Sequence, residues 1–159
     1  MQAAAFTTLR QAVRVAASRL APPVLTYDTA RSVWRLEQTY AYQDAGGPRT
    51  VTVPAGFLFD LSSVPRALWW LIAPFELSIV APLVHDFLYR YGGTPPGGAV
   101  VPPHAYTRAE ADALFRTIMA QEGVAAWRRQ AAYAAVRAFG GAGWGKAELV
   151  PVPAPPAPT

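Results

Sequence analysis

Val84-His85-Asp86-Phe87-Leu88-Tyr89, read together with Ala111-Asp112, is the stretch that decides how this chain is understood. A His and an Asp stand side by side in an apolar run, and a Tyr follows four residues after the His. Four residues is one helical turn, so His85 and Tyr89 share a face while Asp86 points about a quarter turn away. Only two histidines occur in the chain. An imidazole placed among apolar neighbours costs stability unless a partner satisfies it, so His85 is either a structural tie or a chemical group.

Working outward, Leu77 to Tyr91 is apolar nearly all round, which predicts a central helix with Pro82 in its first turn. Thr107-Arg108-Ala109-Glu110 has the form of a capping box and predicts a helix to about Glu122, stopped by Gly123. Val124 to Phe139 predicts a last helix, ended by Gly140-Gly141. Between the first two of these helices, Gly92 to Pro103 reads as a mobile Gly/Pro-rich loop. Upstream, Arg66 to Ile72 predicts a short helix ended by Pro74.

Further towards the N-terminus the period changes to two. Val33 to Tyr42 predicts one half-buried strand, with Trp34, Leu36, Tyr40 and Tyr42 on one face. Asp44-Ala45-Gly46-Gly47-Pro48 turns it into a second strand, Arg49 to Val53, and Val24 to Tyr27 reads as a further short one. The fold class expected is α+β: a small antiparallel hairpin or sheet followed by a bundle of about four helices. Three regions are expected: an amphipathic helix in 1–23, an α+β domain in 24–147, and a flexible tail in 148–159 with five prolines after Val150.

A chain of 159 residues with 52 % hydrophobic residues can bury a core and is not a disordered polymer. It has no cysteine, which excludes disulfides and thiolate metal sites. The formal charge of +4 is mild and the basic residues are scattered, so no nucleic-acid patch is expected. The longest apolar run, Ala67 to Phe75, is too short to span a bilayer, and the N-terminus lacks the form of a secretory signal. Residues 1–27 contain no acid but carry Arg10, Arg14 and Arg19, so an amphipathic helix there could lie on a membrane or cover the core. Trp69-Trp70 is read as core packing or as a lipid-facing patch.

The residues suggest a chemistry. If the helix bearing Asp112 runs antiparallel to that of His85, Asp112 can accept a hydrogen bond from one ring nitrogen. That fixes the tautomer and leaves the other nitrogen as a base. Asp86 could hold a hard cation, with loop oxygens completing the shell. Asp60, after a strand, could reach the same pocket as a further ligand; Ser62 and Ser63 could join the site or simply cap the helix begun by Pro65. The alternative is that His85 and Asp112 only tie two helices together.

His85-Asp86-Phe87-Leu88-Tyr89-Arg90 resembles the active-site helix of phospholipases of the A2 type, especially compact bacterial and viral forms with a His-Asp-x-x-Tyr core. The resemblance implies that His85 activates water, Asp86 binds Ca2+, and Tyr89 and Asp112 support the His, with a phospholipid or other cell-envelope ester as substrate. The Gly-rich calcium loop and the disulfides of those enzymes have no counterpart here. A longer resemblance runs from about Val33 to Trp144. Val53-Pro54-Ala55-Gly56-Phe57, Asp60-Leu61-Ser62-Ser63-Val64-Pro65, the His85 helix and Ala111-Asp112-Ala113-Leu114-Phe115 are similar, in this order, to the phage-associated domain of unknown function 1353 family. It implies a bacteriophage or prophage setting, in the virion or the host cytoplasm, with other phage proteins as partners.

Two other signals are set aside. Gly140 to Lys146 imitates a phosphate loop, but Ala147 stands where Ser or Thr is needed and the segment follows a helix. A zinc site would need His85 and His104 together with carboxylates, and His104 sits in a Pro-flanked loop.

Overall fold

The structure, a computed structural model, describes residues 20–59 and 79–146. The predicted segments 4–20 and 66–72, the pair Trp69-Trp70, the candidates Asp60, Ser62 and Ser63, and the Pro-rich tail lie outside the described residues, apart from Leu20. Among the described residues the fold is α+β, as expected: two antiparallel three-stranded sheets, then three helices. The first sheet holds β1 (Leu25–Asp28), β2 (Val33–Leu36) and β5 (Leu58–Phe59), with β2 in the middle. The second holds β3 (Tyr40–Gln43), β4 (Thr50–Val53) and β6 (Val100–Val101), with β4 in the middle.

The single strand expected over 33–42 is two strands in two sheets. Leu36 still pairs in the first sheet, where its N–H donates to Phe57 O at 2.9 Å. By Tyr40 the chain pairs with Val53 in the second. Between them, Glu37 N donates to Val24 O at 2.8 Å, and Thr39 Oγ1 accepts from Ala55 N at 3.2 Å. The returning chain bends at the same corner, where Gly56 has φ +86°, a conformation that favours glycine. The expected hairpin of Tyr40–Gln43 with Thr50–Val53 is present, with Tyr42 opposite Val51.

Helix α1 (Val80–Arg90) is buried from Val80 to Tyr89 and lies against both sheets and α2 (Arg108–Gln121), as a central helix should. Pro82 falls in its first turn, where its missing N–H is not needed. Phe87 meets Phe57 edge-on at 5.2 Å between centroids. Burying each of Leu83, Val84, Phe87 and Leu88 contributes about 1.5–3 kcal/mol, which is what holds this helix against the sheets. Its N-terminus is capped from afar: the Glu122 carboxylate accepts from Val80 N and Ala81 N, each at 3.4 Å. The contacts of the start of α1 with the end of α2 show the two helices to be antiparallel.

The loop expected to be mobile is stitched into the fold. Gly93 N donates to Leu88 O at 2.8 Å and Gly93 O accepts from Tyr106 N at 3.0 Å. Val100 and Val101 form β6, and Ala99 and Val100 are buried. α2 begins with the predicted capping box on Thr107 and Glu110, and α3 (Ala126–Phe139) packs along it. The glycines after α3 form a short 3-10 turn, Gly140–Gly143, not a phosphate-binding loop.

A buried His-Asp-Tyr-Arg network as the candidate functional site

α1 and α2 bring together three of the residues chosen from sequence. Asp112, in the second turn of α2, is fully buried. Its Oδ1 lies 2.9 Å from His85 Nε2 and accepts from the Tyr89 hydroxyl at 2.6 Å. Its Oδ2 accepts from Arg137 Nη1 at 2.8 Å. Arg137 sits on α3, so one carboxylate joins all three helices.

The sequence reading missed Arg137. α3 is rich in alanine, with Ala132 and Ala135 buried, and so lies close to α2. A single arginine on the flank of such a face, opposite a buried acid, is the signal that could have revealed it. Arg108 adds a second tie by donating from Nη1 to Arg137 O at 3.2 Å.

His85 is only 3 % exposed, and its ring is packed by Tyr89 at 4.1 Å and Phe115 at 4.7 Å between centroids. Burial drives its pKa below the ordinary imidazole value, and the Asp112 hydrogen bond only partly opposes this. His85 is therefore neutral at pH 7 and donates through Nε2. Asp112 has a different balance. Burial pushes its pKa up, but the hydrogen bonds from His85, Tyr89 and Arg137 more than compensate and hold it below the usual carboxylate value. The ion pair of the network is thus Asp112–Arg137, and His85 is a neutral donor to the same carboxylate. Burial, and then the bond to Asp112, raises the Tyr89 pKa, so the phenol stays protonated.

Asp86 is buried, 8 % exposed, and engaged with a partner, while the bonds to Asp112 come from His85, Tyr89 and Arg137. Asp60 lies outside the described residues. Among the described residues no group of three or more His, Asp or Glu side chains is placed to hold a metal ion. His104 bonds Glu110 at 3.2 Å and is not part of the His85 site. No helix among the described residues is long and apolar enough to cross a membrane.

Fold and site together define a class: a small α+β fold in which the three described helices close on a buried His-Asp-Tyr-Arg network. Residues 34–136 match the family described as Protein of unknown function (DUF1353), and the chain belongs to that family. No curated protein and no solved structure gives a significant match, so the likeness to phospholipases of the A2 type rests on the His-Asp-x-x-Tyr residues alone.

Proposed function

We propose that this chain carries a His-Asp hydrolytic site in which His85 is the base, acting on a phospholipid or another cell-envelope ester in a phage or prophage setting. The observation that carries the reading is the bond from His85 Nε2 to an Asp112 that is itself held by Tyr89 and Arg137. A neutral imidazole pinned through Nε2 has its lone pair on Nδ1, the nitrogen that would take a proton from water. Asp112 would steady the imidazolium formed, while Tyr89 and Arg137 keep Asp112 from turning. Asp86 and Asp60 are the candidate carboxylates for a cation, with Ca2+ the cation proposed.

A second reading has its own support: His85 is 3 % exposed and both Asp112 oxygens are in use. It makes the protein a non-enzymatic virion or tail-associated component in which the network only ties helices. Fatty-acid release from phospholipid, with Ca2+ or EDTA, should separate the two when wild type and His85→Gln are compared. The hydrolase reading expects a loss of roughly 10²–10⁴-fold in turnover with little change in the unfolding midpoint. Absence of turnover in the wild type, or a variant that mainly loses stability, would favour the structural component.

A further inference from the structure

We infer that the shallow groove between the second half of α2 and the start of α3 is a docking face for an anionic phospholipid surface. The groove has a volume of about 620 Å³ and is lined by Arg116, Thr117, Trp127, Arg129 and Gln130, with alanines at its base. Among the described residues no carboxylate lines it. Trp127 is 59 % exposed, unusual for so large an apolar ring.

The arginines here are held by rings and carbonyls instead of acids. The Arg116 guanidinium lies 4.4 Å from the Tyr133 centroid, and that of Arg128 lies 5.2 Å from the Trp127 centroid. Arg129 Nη1 donates to Val124 O at 2.7 Å, and Arg116 Nη1 to Gln130 Oε1 at 3.4 Å. Among the described residues, none of the three has a carboxylate at ion-pair distance. Each guanidinium has five N–H donors, so most remain for phosphate oxygens.

An exposed indole flanked by arginines that have no carboxylate partner among the described residues suits the bilayer interface, where the ring enters the headgroup layer and each arginine meets anionic lipid. The choice of phospholipid over another polyanion rests on the ester-hydrolase reading above.

The test is co-sedimentation of the full chain, in EDTA, with vesicles of phosphatidylglycerol and phosphatidylcholine, or of phosphatidylcholine alone. The variants are Trp127→Ala/Arg128→Gln and Arg116→Gln/Arg129→Gln, each checked by thermal melting. The first pair leaves the core untouched and keeps the test valid if the second folds poorly. Wild type should prefer the anionic vesicles, and each folded pair should lose on the order of tenfold in partitioning. Wild-type binding that is absent, unchanged by the first pair, or matched by duplex DNA or polyglutamate overturns the docking face. Vesicle binding without fatty-acid release counts against the hydrolase alone. Release from a monomeric short-chain lipid without vesicle binding counts against the docking face alone.

Discussion

Tyr89 explains why a glycine follows α3. A Cβ built on Gly140 would lie 2.6 Å from the Tyr89 hydroxyl and 3.1 Å from its ring. That hydroxyl cannot step aside, because it donates to Asp112 at 2.6 Å, and Trp144 packs edge-on against the ring at 5.0 Å. The backbone of Gly140 is ordinary, with φ −71°, so the demand for glycine is one of space and not of conformation. Gly140→Ala should therefore cost roughly 1–3 kcal/mol in urea unfolding, as overpacking does. Gly141→Ala is the control: its Cβ would meet only the Arg108 guanidinium, Nη1 at 3.6 Å and Cζ at 3.8 Å, ordinary contacts, and should change stability by less than about 0.5 kcal/mol. At this scale the sequence displayed His85, Tyr89 and Asp112, since fixed helical spacing and scarcity mark them. It hid Gly140, because end-of-helix glycines also serve as ordinary caps. It hid Arg137 too, because an arginine on an alanine-rich helix reads as a solvated residue.

Among the elements, α2 has to hold Asp112 rigidly, and its start is fixed by local chemistry. Thr107 Oγ1 accepts from Glu110 N at 3.2 Å, and Glu110 Oε2 accepts from Thr107 N at 2.7 Å. The backbone donor of Thr107 is the main reason the Glu110 pKa falls below its ordinary value. Asp112 sits two residues beyond this box. Thr107→Ala should cost about 1 kcal/mol in urea unfolding and Thr107→Ser much less; an unchanged midpoint for the Ala variant would show the cap to be idle. Such local signals were legible because this cap depends on residues only three apart in the chain. The division between β2 and β3 was not. Leu36 and Tyr40 are an even number apart, so the alternation of buried positions passes through the corner without a change of phase. β6 was hidden for a related reason: Val100 and Val101 make a two-residue strand inside Gly/Pro-rich sequence, and only the edge of β4 gives them structure. The cap on α1 by Glu122 comes from another helix, beyond the reach of any local rule.

For the whole molecule, the charge state of the network governs how stability follows pH. The α+β order was readable because periods of two and of 3.6 residues segregate along this sequence, but a charge state depends on burial that only the assembled helices create. The folded His85 has a pKa below 6.5, mainly through burial, so on acidification the unfolded chain takes up that proton first. Its contribution to stability is then present above pH 6.5 and lost as pH falls below it, by at most about 1.4 kcal/mol per pH unit for one proton. Asp112 also has a depressed folded value, so its contribution is lost on further acidification through and below its ordinary 3.8. Urea unfolding of wild type should therefore weaken in two stages as pH drops from 7.5. In His85→Gln, whose amide can still donate to Asp112, the first stage should be reduced while the second remains. An imidazolium–carboxylate pair would give the opposite sign, with stability gained below pH 6.5 and lost as pH rises through a raised folded pKa. The same measurement bears on function. A His85 that stays neutral down to mildly acid pH remains able to act as a base there, whereas a charged His85 at pH 7 would leave only the tie between helices.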